Sequence, residues 1–180
     1  MQKRNLGTSG LQITPVGFGS WAVGGGGWTF GWGPQDDEAS VGAIVHAVSK
    51  GVNWIDTAGV YGLGHSEEVV GRALRQIPTA ERPLVFTKGG LTWDPADATV
   101  PARRISRPEF LRADVEASLR RLGVETIDLF QIHWPDAFGF PVEDSWGEMS
   151  RFVEEGKARA IGVSNYDVAM LERCERVRHV

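Results

Sequence analysis

Cysteine is nearly absent. The 180 residues hold one, Cys174, so no internal disulfide can form and a reducing compartment is expected. Positive charge is not in excess: 19 lysines and arginines face 23 aspartates and glutamates, for a formal net charge of -4. No Lys/Arg cluster coincides with interleaved aromatics, and a nucleic-acid partner is not expected. No apolar run is long enough to span a bilayer, which argues against a membrane partner. The opening Met1-Gln-Lys-Arg-Asn5 also lacks the apolar core of a signal peptide, so a cytoplasmic location is the expectation. His46, His65 and His179 have no metal-ligand spacing with one another or with Cys174, and no metal site is expected. A nucleophile elbow is missing too.

What is present is a chain of ordinary globular composition, 42% hydrophobic and long enough for one core, so a single domain over residues 1–180 is expected. Its organising stretch is Val52-Asn-Trp-Ile-Asp56-Thr-Ala-Gly-Val-Tyr61-Gly62. Val52, Trp54 and Ile55 make a short β-favouring run that stops at Asp56, a residue no buried strand chooses for packing. The carboxylate therefore sits at the C-terminal end of a strand. Tyr61 follows on a tight loop among Gly59, Gly62 and Gly64, where its phenol can turn back over Asp56.

Along the chain, strand and helix alternate. Residues Asn5–Ile13 read as a hairpin around Gly7-Thr-Ser-Gly10, and Val16–Ser20 as the first core strand. The loop from Trp21 to Pro34 carries the Gly24–Gly27 run and Trp28, Phe30 and Trp32. Gly17-Phe-Gly19-Ser-Trp-Ala22 fits a loose dinucleotide fingerprint but fails on context, because no helix starts before about Asp36 to bring its N-terminus to a pyrophosphate. A helix is expected from Asp36 to Gly51 with Val41, Ile44, Val45 and Val48 inward, and another from Ser66 with Val69, Val70, Ala73 and Leu74 inward. Pro83–Lys88 is a strand ending in a charge, and Gly89–Ile105 a long polar loop. Ser106-Arg-Pro-Glu109 reads as a capping box before a helix to Leu122. Ile127–His133 is the fourth core strand, Glu143–Glu155 a helix, and Ala158–Ser164 the fifth strand. Asp167–Arg178 closes the chain as a helix with Met170, Leu171, Cys174 and Val177 on one face.

Successive β-α units of this kind make a parallel sheet with helices outside, either closed or open. Four strand ends carry Asp56, Lys88, His133 and Ser164, and a closed ring would converge them on one mouth. Together with Tyr61 they suit reduction of a carbonyl: an ammonium near the phenol lowers its pKa, a carboxylate aims the ammonium, and an imidazole positions the carbonyl oxygen.

These residues resemble a known family. Asp56-Thr-Ala-Gly-Val-Tyr61-Gly with Ser66-Glu-Glu, Thr87-Lys88, Ile127–His133 with Trp134-Pro-Asp136, and Gly162-Val-Ser-Asn165 are similar to the successive signatures of the aldo-keto reductases. The resemblance implies an α/β fold of the (β/α)8 TIM-barrel type and NADP(H)-dependent reduction of an aldehyde or ketone to an alcohol, with the reverse oxidation. It implies Asp56, Tyr61, Lys88 and His133 as catalytic residues, Tyr61 being the general acid and base. Ser164 and Asn165 would hold the nicotinamide carboxamide, Gly19, Ser20 and Trp21 would pass beside the nicotinamide ribose, and Asp56 also faces the cofactor. Trp28, Trp32, Trp93 and Trp134 would line the cleft for a small-molecule carbonyl substrate.

Length is where this chain departs from that family. It stops after the fifth strand and its helix, so a barrel truncated to about five β/α units behind an N-terminal β-hairpin is expected, incomplete at the C-terminus. The exposed barrel edges would then favour self-association. A catalytically weak or inactive barrel fragment, or a cofactor-binding regulatory subunit of the same family, are the alternatives to an active enzyme.

Overall fold

A computed structural model describes residues 1–179. At the N-terminus, β1 (Arg4–Asn5) pairs antiparallel with β2 (Gln12–Ile13) around the expected turn. The hairpin is fastened beneath the sheet by polar contacts. Thr14 N donates to Asn53 Oδ1 at 2.7 Å, Asn53 Nδ2 to Gln12 O at 2.8 Å, and Trp54 Nε1 to Thr14 O at 2.9 Å.

The chain then forms β3 (Phe18–Gly19), α1 (Asp37–Ser49), β4 (Trp54–Asp56), α2 (His65–Gln76) and β5 (Leu84–Gly89). A small antiparallel hairpin of β6 (Leu91–Thr92) and β7 (Arg103–Arg104) precedes α3 (Pro108–Leu122), β8 (Ile127–Ile132), α4 (Val142–Glu154), β9 (Ala158–Val163) and α5 (Val168–Glu175). Strands β3, β4, β5, β8 and β9 lie side by side in that order, all parallel. These are the five β/α units expected of the barrel, with β3 and β9 as the edges of the sheet.

Period-two alternation sorts the sheet into two faces. Ile55, Val85, Thr87, Phe130 and Ile132 point outward and are all but fully buried under the helices. Those helices bury Val41 and Ile44 from α1, Val69, Val70, Ala73 and Leu74 from α2, Leu111, Val115 and Leu122 from α3, and Trp146, Met149 and Phe152 from α4. Each large aliphatic or aromatic side chain so placed contributes about 1.5–3 kcal/mol of burial free energy. The inner face carries Trp54, Asp56, Phe86, Lys88, Leu129 and Gln131, several of them only half-buried. Beside β9 it opens into a groove of about 620 Å³ between the turn of the N-terminal hairpin and Arg178–His179.

Local signals mostly act where the sequence places them. Asp36 caps α1, its side chain accepting from Ala39 N at 2.9 Å. The capping box at Ser106 does not form: α3 starts one residue later, with Arg107 in the capping position and Pro108 opening the first turn. Ser106 is drawn elsewhere, its N–H to Asp136 Oδ2 at 3.0 Å and its buried hydroxyl towards Ser145. The expected long loop after β5 contains the β6–β7 hairpin. Val177 lies beyond the end of α5 and is exposed, whereas Cys174 is fully buried.

Candidate active site

Three strand ends and one loop build the site. Asp56 closes β4, Lys88 lies near the end of β5, and His133 follows β8, its N–H bonded to Gly89 O at 2.9 Å. Tyr61 begins a tight turn, Tyr61–Gly64, in which Gly62 and Leu63 both take left-handed backbone with φ of 61° and 55°. Such conformations persist only where the surroundings dictate them. Here the dictating contact is visible. Gly24, at the end of the short helical turn Ala22–Gly24, lies so close that a Cβ on it would be 2.6 Å from Gly62 N and 2.8 Å from the Tyr61 carbonyl carbon.

The four expected catalytic side chains meet. Lys88 Nζ donates to Asp56 Oδ1 at 2.7 Å, to Asp56 Oδ2 at 2.8 Å and to Thr57 O at 3.0 Å. The same nitrogen lies 5.4 Å from the centre of the Tyr61 ring. The His133 imidazole meets that ring edge-on at 5.7 Å, and Trp21 stacks on it at 5.9 Å with 14° between the planes.

Electrostatics fix the protonation of two of them. Burial, and then the Asp56 charge, pushes the Tyr61 phenol up to about 12. Burial, and then the Lys88 ammonium, pushes His133 down to about 4. At neutral pH the phenol keeps its proton and the imidazole is uncharged. The direction at Tyr61 is opposite to the lowering expected from a nearby ammonium. All three protons of Lys88 are committed to Asp56 and Thr57, and its nitrogen lies at the ring rather than bonded to the phenol oxygen.

Asn165 and Ser164 sit beside this group at the end of β9. Asn165 has φ of 61°, and its Nδ2 donates to His133 O at 2.9 Å and to Ser164 Oγ at 3.0 Å. Gly19 faces Asp56 across the β3–β4 pair with open space where a Cβ would stand. Ser20 does not share this exposure. It is fully buried, its hydroxyl donating to Asp56 O at 3.0 Å while Ser66 Oγ donates to it at 2.9 Å, so it pins the strand end from within.

The tryptophans divide. Trp21, stacked on Tyr61, adjoins Trp32 at 5.7 Å, Trp32 being 69% exposed. Trp134 follows His133 directly and lies under the Arg104 guanidinium at 4.1 Å. Trp28 folds into its own loop, donating to Gly25 O, and Trp93 lies 6.0 Å from the Arg121 guanidinium. Among the described residues no ring contact joins Trp28 or Trp93 to Tyr61.

Sequence reasoning missed a second polar group, directly behind β5. Glu67 is fully buried, accepting from Thr87 Oγ1 at 2.5 Å and from Arg121 Nε at 2.6 Å. Asp114 accepts from Gly90 N at 2.7 Å, and burial pushes its carboxyl up to about 6. The available signal was spacing: Glu67, Val70 and Leu74 share the buried stripe of α2, where a carboxylate needs a partner.

Comparison with known proteins bears on the family and the fold. The model of the aldo/keto reductase family matches residues 15–180. An aldo-keto reductase of Bacillus subtilis, YhdN, is 36% identical over 172 residues, covering 96% of this chain and 49% of the relative. The NADH-specific methylglyoxal reductase of Escherichia coli is 37% identical over 176 residues, covering 93% and 53%. Among solved structures, the glycerol dehydrogenase AKR11B4 from Gluconobacter oxydans superposes with a TM-score of 0.86 at 44% identity, covering 97% of this chain and 52% of that one. The chain thus spans about half the length of the relatives it matches.

Proposed function

Because this chain belongs to the aldo/keto reductase family, whose members reduce carbonyls with a nicotinamide cofactor, we propose that it carries the proton-transfer half of such a site and reduces an aldehyde or ketone to an alcohol. The observation that carries the reading is the convergence of Asp56, Lys88, Tyr61 and His133 on one mouth of the sheet.

Each member has a part that follows from its state. Tyr61 is a neutral phenol at working pH and gives its proton to the carbonyl oxygen as that oxygen becomes an alkoxide. The tyrosinate left behind is stabilised by Lys88, already held beneath the ring by Asp56. His133, uncharged, donates a hydrogen bond from its ring N–H to the same carbonyl oxygen and so fixes the substrate against Tyr61. Solvent returns the proton to Tyr61. Trp21, stacked on the Tyr61 ring, covers one face of it.

The residues at the mouth fit a nicotinamide. With Nδ2 of Asn165 bonded to His133 O and Ser164 Oγ, its Oδ1 is left as an acceptor for a carboxamide N–H. The open face at Gly19 leaves room for a flat ring and its ribose. When bound, the reduced cofactor supplies the hydride that reaches the carbonyl carbon. We assign NADPH as that cofactor, as in the NADPH-bound aldo-keto reductase structure from Klebsiella pneumoniae at 27% identity. The Escherichia coli relative named for NADH makes both cofactors part of the test.

The experiment is turnover of a panel of small aldehydes and ketones by the purified protein with NADPH or NADH, repeated with Tyr61→Phe. Loss of the general acid is expected to cost at least about a hundredfold in turnover with cofactor binding nearly unchanged. Near-normal turnover by the phenylalanine variant would remove Tyr61 as proton donor, and faster turnover with NADH would overturn the cofactor assignment.

A further inference from the structure

We propose that Glu67 and Arg121 form a buried clamp that sets the position of the Tyr61 phenol, which makes both positioning residues for the reduction proposed above; the inference rests on that reading. Neither side chain touches the mouth. Their ion pair, 2.6 Å from Nε to Oε2, lies on the outer side of the sheet between α2 and α3.

What the pair holds is the loop that carries the phenol. The Arg121 side chain lies against Gly59 and Gly64, the glycines on either side of Tyr61. A Cβ on Gly59 would stand 3.2 Å from Arg121 Nη2, and one on Gly64 would stand 3.0 Å from Arg121 Cδ. Both ends of the loop therefore rest on a single guanidinium side chain. Glu67 fixes that side chain in turn, and its other oxygen takes the Thr87 hydroxyl, so the clamp is tied to the residue immediately before Lys88. Gly59 N–H closes the circuit by donating to Lys88 O at 3.0 Å. One buried carboxylate thereby couples the Tyr61 loop to the strand that delivers the ammonium.

The pairing is suited to alignment rather than to chemistry. Glu67 is sealed from water, and an arginine fork holds a fixed direction where a lysine would not. A displacement of Tyr61 by about 1 Å is enough to cost on the order of a hundredfold in rate.

The test reads Tyr61 directly. The sequence has two tyrosines, so Tyr166→Phe leaves Tyr61 as the single ring signal in a tyrosine-labelled NMR sample, shifted by Trp21 stacked upon it. In that background Arg121→Ala and Glu67→Gln are each expected to move or broaden the ring signal, and to lower kcat by about tenfold or more with KM for the carbonyl within about twofold. Free guanidinium should restore both readouts in Arg121→Ala. Ile44→Val, in the remote core under α1, is the control for lost stability alone and should leave the signal unmoved. If Arg121→Ala does not fold, the near-isosteric Glu67→Gln supplies the same readouts. A folded variant whose Tyr61 signal and kcat both match the parent overturns the clamp. A moved signal in a protein that reduces no carbonyl overturns the proposed activity and leaves the clamp standing.

Discussion

Strand β5 runs between two ion pairs, one on each of its faces, and the two are built to different ends. Lys88 points inward to Asp56, which keeps 33% of its side chain exposed at the mouth; Thr87, the residue before it, points outward to Glu67, which keeps none. The inner pair uses lysine, a compact charge on a flexible stem that can be re-aimed when charge develops nearby. The outer pair uses arginine, whose planar fork fixes a direction. In the inner pair the carboxylate is the member left open to the mouth, whereas in the outer pair the carboxylate is sealed and the arginine keeps 20% of its side chain exposed.

The largest expected effect would break the outer pair. Arg121→Met strands the Glu67 carboxylate in the core, and chemical denaturation should show a loss of about 3–5 kcal/mol. A loss below about 1 kcal/mol, the range of surface pairs, would erase the distinction between the two faces. Lys88→Met should do the converse. It is expected to lower turnover at least about a hundredfold, equivalent to about 2.7 kcal/mol. Its denaturation midpoint should move less than that of Arg121→Met, because water can reach Asp56. Asp56→Asn should be milder still, on the order of tenfold in turnover, since Thr57 O continues to hold the ammonium.

Two pH dependences of opposite sign are also expected. His133 at about 4 binds fewer protons in the folded chain than in the unfolded one between pH 4 and 6.5, so stability falls as pH drops through that window. His133→Gln should remove that fall. Asp114 at about 6, against an ordinary 3.8, holds a proton that the unfolded chain releases, so its contribution to stability falls as pH rises from 3.8 to 6. Asp114→Asn should remove that second fall. Unfolding free energies of both variants against the parent across the window would check the signs, and slopes of the same sign would contradict the burial assigned to one of the groups.

Much of the inner face was legible in the sequence, because an apolar run that ends on Asp56, Lys88 or His133 marks a strand whose last side chain leaves the core. The outer pair was not. Glu67 stands in Ser66-Glu-Glu68, which reads as the acidic first turn of a helix, and its partner Arg121 lies 54 residues away. Nothing local pairs them. Ser106 misled for a related reason: its capping role was outbid by Asp136 and Ser145, contacts made only after α3 and α4 pack. The raised phenol was not legible because the proximity of Lys88 to Tyr61 could be read, whereas the burial that pushes the phenol up could not. The surroundings of the tryptophans were not legible either, since the resemblance carries Trp28 and Trp93 as cleft residues, while their contacts with Gly25 and Arg121 arise only from loop packing.

The backbone-on-backbone contact between Gly24 and Gly62 has a practical meaning for anyone reshaping this protein by library selection. It separates, across the aromatic loop and the Tyr61 turn, codons that are free to vary from codons that are not. Trp28 and Trp32 make no ring contact with Tyr61 among the described residues, so randomising either leaves the main chain under the phenol as it is. Randomising Gly24 or Gly62 adds a Cβ within 3 Å of the neighbouring main chain, so every variant that folds does so with the Tyr61 turn displaced. A campaign that treats Gly24 in the glycine-rich segment, or Gly62 in the Tyr61 turn, as disposable linker would lose clones at those two positions and credit the loss to substrate preference.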